Sequence, residues 1–170
     1  MIPAHFPNAM HSRFLRLTAT VFATAALTMG LSLAAPYAQG SKVEPFTAKD
    51  QHENPFTLKP AETKFLLVSH DMETGKKANA ALNALGKDYL VSKNAVYVAN
   101  IHGMPGIGRM FAMPKMKKYV HRIILGDDAN LIAKFPEEKG KVTVLKLSGG
   151  KVSSVVYWSP ETEQLDSVLK

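Results

Sequence analysis

The stretch Thr63-Lys-Phe-Leu-Leu-Val-Ser-His-Asp71 decides how this chain folds. Phe65 to Val68 is an apolar run without polar alternation, the pattern of a strand covered on both faces. Beyond it Ala78, Ala81, Leu82 and Leu85 recur at helical spacing, and Gly86 stands where a C-cap glycine would. Ser69 or Asp71 is placed to cap that helix, and Gly75 weakens its first turn. A second apolar run, Ala95 to Ile101, follows a short loop. Strand, crossover helix and strand make a βαβ unit, with Lys64–Ser69 and Ala95–Asn100 expected to be parallel neighbours.

Upstream, Arg13 and Arg16 precede an uncharged stretch from Leu17 to Ala35, and Ala38-Gln-Gly40 offers small residues at a cleavage point. Residues 1–40 therefore read as a secretory signal peptide, with a retained membrane anchor as the alternative. Residues 41–170 suffice for a single domain, expected in the periplasm or an equivalent extracytoplasmic space. Losing Arg13 and Arg16 takes the formal charge from +7 to +5. That balance favours an anionic ligand or an envelope protein as partner, rather than nucleic acid. Beyond residue 40 no stretch is long enough to cross a membrane. Cysteine is absent, which excludes disulfides and thiol redox chemistry within this chain.

Lys42 to Leu58 reads as an N-terminal hairpin, with Phe46 and Phe56 flanking a polar turn at Lys49–Asn54. After the second strand, Pro105 can open a helix through Arg109 and Met113, which Pro114 should end or restart. Between Ile123 and Phe135 a short helix capped by Asp127 or Asp128 competes with a hairpin. Val142–Leu147 and Val152–Trp158 flank Ser148-Gly-Gly150 as an antiparallel hairpin, and Glu161–Leu169 reads as a terminal helix.

Three stretches carry a family resemblance: Phe46 to Leu58, Thr63 to Leu85, and Val142 to Val152. Together they resemble the thioredoxin-like superfamily in its exported, peroxiredoxin-like branch, with cysteine-free YtfJ-type proteins nearest. The resemblance implies a three-layer α/β/α domain with a mixed sheet. It also implies a Cys-x-x-Cys after the central strand, where this chain has Ser69-His-Asp-Met-Glu-Thr-Gly75. The family's proline before the closing hairpin would fall near Lys141-Val142, and none is there. A serine cannot replace a thiolate in disulfide exchange, so the family's chemistry is not expected.

Three groups of residues are candidates for a site. Ser69, His70 and Asp71 have the residue types of a hydrolase triad, but neighbours on an extended chain point apart. They read as a helix cap with an exposed histidine, or as a ligand pocket at the lost redox loop. His102, Met104, Met110 and Met113, with Met116 and His121 nearby, are soft donors that suit copper(I). The same spacing suits a buried methionine stripe or a partner-binding face. Gly103, Gly106 and Arg109 at a helix start suit a phosphate. The glycine order does not match a dinucleotide fingerprint, so flavin or nucleotide binding is the minor reading. The expectation is a non-catalytic, exported binding protein without a resident cofactor. A copper(I) carrier and a flavin- or nucleotide-dependent oxidoreductase are the alternatives.

Overall fold

A computed structural model describes residues 35–170. Most of the expected leader lies outside the described residues. Upstream of Ser41 the chain already belongs to the domain. The buried Tyr37 ring packs edge-on against Phe135 at 5.5 Å, and its N–H donates to Lys134 O at 2.7 Å. Gly40 N–H donates to Val152 O at 2.8 Å.

The elements follow in order as β1 (Thr47–Asp50), β2 (Pro55–Thr57), β3 (Phe65–Ser69), α1 (Met72–Leu85), α2 (Tyr89–Ser92) and β4 (Ala95–Asn100). Then come α3 (Gly106–Met116), β5 (Ile124–Gly126), α4 (Ala129–Ile132), β6 (Val142–Ser148), β7 (Lys151–Trp158) and α5 (Leu165–Val168). The seven strands form one mixed sheet ordered β2-β1-β5-β4-β3-β6-β7. This is the expected thioredoxin-like α/β architecture. β3 and β4 pair in parallel, with Phe65 opposite Ala95 and Ser69 opposite Ala99. β6 and β7 form the expected hairpin, and Gly149 and Gly150 take φ of +56° and +78° at its turn.

β3 sits inside the sheet with a core on each face. Leu67, Tyr97 and Val144 pack on one side with Ala78 and Leu82 of α1 and Leu165 of α5. Leu66, Val68, Val98 and Leu145 pack on the other, with Leu131 of α4, Phe135 and Tyr37. That double burial accounts for the unbroken apolar run.

Several boundaries differ from the sequence reading. Helix α3 passes through Pro114 to Met116 instead of ending at it. The proline removes the N–H that would reach Met110 O, but both residues are exposed, so water can satisfy that carbonyl. The hairpin alternative for 123–135 fails. Ile124–Gly126 is a strand parallel to β4, and Asp128 caps the one-turn α4 by accepting from Asn130 N–H at 2.8 Å. The terminal helix keeps only Leu165–Val168. The residues before it are held in a turn, where Trp158 Nε1–H donates to Glu163 O at 2.9 Å. The single turn α2 has too few residues to show a period in the sequence.

Gly126 makes the junction of β5 and α4 possible. A Cβ there would lie 2.6 Å from Ile132 Cδ1 and 3.1 Å from Val98 Cγ1. Replacing Gly126 with Ala is expected to destabilise the fold by about 1–3 kcal/mol through overpacking. Urea unfolding of the two proteins checks this, and an unchanged midpoint would refute it.

Candidate functional site

Because β3 and β4 are parallel neighbours, α1 and α3 both start at their carboxyl edge and run back over the same face of the sheet. A cleft of about 250 Å³ lies between them. Its lining from α1 is Met72, Gly75, Lys76 and Asn79, which share one helical face. From the loop and helix opposite come Met104, Gly108, Phe111, Ala112, Lys115 and Met116, with Tyr119 just beyond. Ser69, Ala99, Asn100 and Ile101 close the floor. The walls are mainly apolar, and Met72 and Phe111 are 49% and 63% exposed at the rim.

The floor carries a small set of buried polar groups. Ser69 Oγ and Tyr97 OH share a hydrogen bond of 2.9 Å, and burial pushes the Tyr97 phenol above its ordinary value. Gly75 packs over them, and a Cβ there would meet Ser69 Oγ at 3.4 Å, an ordinary contact. Asn79 is 6% exposed, and its Oδ1 accepts from His121 Nε2–H at 3.0 Å. Asn79 lines the cleft, and its amide NH₂ has no protein partner among the described residues. Sequence reading missed Asn79, although a polar residue inside the apolar stripe beside Ala78 and Leu82 was the available signal.

Ser69, His70 and Asp71 do not act on one another. Asp71 caps α1, accepting from Thr74 N–H at 2.8 Å and from Thr74 Oγ1–H at 2.7 Å. Burial pushes the Asp71 carboxyl up, but the donors at Thr74 outweigh it and hold the group below the usual range. His70 is buried, not exposed as expected. Thr143 Oγ1–H donates to Pro136 O, so His70 Nε2 must carry the proton that Thr143 Oγ1 accepts at 3.1 Å. This side-chain bridge joins the exit of β3 to the start of β6, where the family's proline would stand. Asn100 Nδ2–H donates to His70 O at 2.9 Å and ties the exits of β3 and β4 together.

The other candidates are dispersed. Met104 lines the cleft, Met113 lines a second groove over β1 and β5, and Met110 is 63% exposed. His102 lies in the exposed turn after β4, and Met116 is in the core. Among the described residues no group of three His, Asp or Glu side chains is placed to hold a metal. Arg109 is engaged by its own chain. It makes a two-pronged pair with Asp127, and its guanidinium also donates to Ile101 O at 3.1 Å and Met104 O at 3.3 Å. Arg109 thus fastens the Gly103–Gly106 loop to the end of β5, with a carboxylate where a phosphate would have to bind.

No family model matches the chain, and no curated protein does. Solved structures do. The chain is similar to the peroxidoxin BcpB of Mycobacterium tuberculosis, with TM-score 0.53 and 15% identity over 78% of this chain and 94% of that one. It is similar to a peroxiredoxin-like protein of Aquifex aeolicus, with TM-score 0.52 and 12% identity over 81% and 86%. A putative protein disulfide isomerase of Bacteroides thetaiotaomicron gives 0.51 and 13% over 78% and 86%. At these identities the likeness concerns the fold. Without cysteine, the thiol chemistry of a disulfide isomerase has no counterpart here.

His121 makes the site sensitive to acid. It is buried between Tyr97 and Tyr119, its Nδ1 has no partner, and burial lowers its pKa from 6.5 to about 4. The unfolded chain takes up this proton below 6.5, whereas the folded chain resists until about 4. Stability is therefore full above 6.5 and falls between those values by on the order of 3 kcal/mol. His70, lowered by its own burial, acts in the same direction. Denaturant melts at stepped pH should show this loss, and His121→Gln should flatten it while lowering stability at neutral pH. An equally steep decline in the variant would refute the assignment.

Proposed function

We propose that this chain is a non-catalytic, exported binding protein that holds an apolar ligand in the cleft between α1 and α3. The observation that carries the reading is the cleft itself, with apolar walls, a few convergent polar groups and a place at the carboxyl edge of parallel strands. The side chains standing where redox cysteines would be sought support it. Asp71, His70 and Ser69 are engaged in a cap, a bridge and a hydroxyl pair, which positions the cleft without supplying a nucleophile and base.

Export belongs to the same reading and rests on Arg13, Arg16 and the uncharged Leu17–Ala35. Tyr37 refines the position of the cut. Removal after Gly40 would strip a buried ring from Phe135 and three backbone bonds from the domain, which favours a cut upstream of Tyr37. Envelope material would then give an intact mass that includes Tyr37 and lacks Met1.

Nile red, a neutral apolar dye, tests the cleft. It is expected to bind the purified protein with one-to-one stoichiometry, and Ala112→Trp, which fills the cleft from α3, should abolish that binding without loss of fold. Unimpaired dye binding in the variant would defeat the assignment. So would a stoichiometric yellow chromophore in the native protein, which would give the Gly103–Arg109 loop to a flavin.

A further inference from the structure

The cleft combines apolar walls with a few polar groups. Met72, Met104, Ile101 and Phe111 line it. So do Asn79 and Tyr119, and Lys76 and Lys115 stand on facing helices. From Met72 to Asn79 the helix rises about 10 Å.

We infer that the ligand is a single-chain amphipathic oxyanion, with its chain among Met72, Met104 and Phe111 and its head between Lys76 and Lys115. The inference rests on the binding reading of the cleft. It adds the class of ligand. An apolar chain alone would cover the Asn79 NH₂ without giving it an acceptor, which is costly. An oxyanion supplies that acceptor and also meets the two ammonium groups.

Asp71 lies where α1 begins and repels an anion at that edge, with both its oxygens already occupied by Thr74. Lys115 makes no ion pair among the described residues, and Lys76 is held only loosely, 4.0 Å from Glu73. Long lysine stems can lie along apolar walls while their ends reach the head. The span is that of a medium-length alkyl chain. Carboxylate and monoalkyl phosphate share the required head chemistry, so both serve as probes.

The experiment compares octanoate, octyl phosphate and octanol by calorimetry and by displacement of Nile red. At least one of the two anions should bind one-to-one and more tightly than octanol. Lys76→Gln/Lys115→Gln should weaken that anion about tenfold, as expected for two partly exposed pairs, and leave octanol unchanged. Both positions are exposed, and a thermal melt confirms that the variant folds. Equal affinity for octanol and the anions, or no effect of the double variant, would overturn the ligand class while the apolar cleft stands. If Nile red and all three probes fail to bind, the cleft reading falls and this inference falls with it.

Discussion

The parallel pairing of β3 with β4 is the constraint on which the rest depends. It places Ser69 beside Ala99 and brings two strand exits to one edge, where the Asn100 side chain bonds His70 O and extends the join past the last ladder position. Each exit must be followed by a crossover, and right-handed connections put α1 and α3 on one face. Two helices launched side by side leave a furrow wherever their facing residues are small. Gly75 on one and Gly108 with Ala112 on the other supply that space. A Cβ on Gly108 would approach Met104 Cγ to 3.3 Å and crowd the same wall.

Around that edge the scaffold has settled its polar groups internally. In a thiol oxidoreductase the turn after the central strand must expose a reactive sulfur. Here the turn is closed on both sides, by the Asp71 cap toward α1 and by the His70–Thr143 bridge toward β6. Each bond is worth on the order of 1 kcal/mol, but leaving any of these buried groups unpaired would cost more. The arrangement therefore favours a rigid rim over a reactive one. Two groups are left unmatched by protein, the Asn79 NH₂ and the buried His121 Nδ1.

The sheet was legible in the residues where burial is two-sided or where a turn has its own chemistry. Phe65–Val68, Ala95–Asn100 and the Gly149-Gly150 turn are of this kind. The capping of α1 by Asp71 was legible too, because a cap is a contact between near neighbours. What could not be read depends on partners far along the chain. His70 looks exposed until Thr143, 73 residues later, arrives beside it. Arg109 looks like a free cation until Asp127 takes it. The methionines after His102 look like one constellation because they are close in sequence, yet Met104 in the loop and Met113 on α3 line different grooves. The cleft belongs to neither helix alone, so no single stretch encodes it.

Pro114 inside α3 has a mechanical consequence. The missing bond to Met110 O divides the helix into a segment carrying Phe111 and a short end anchored by the buried Met116. Bending at a proline costs less than bending an intact helix, because one rung of the ladder is already absent. Both parts are held, the first by Arg109 on Asp127 and Ile101 O, the second by Met116 in the core. The missing rung lies between these two anchors, on the exposed side of the helix.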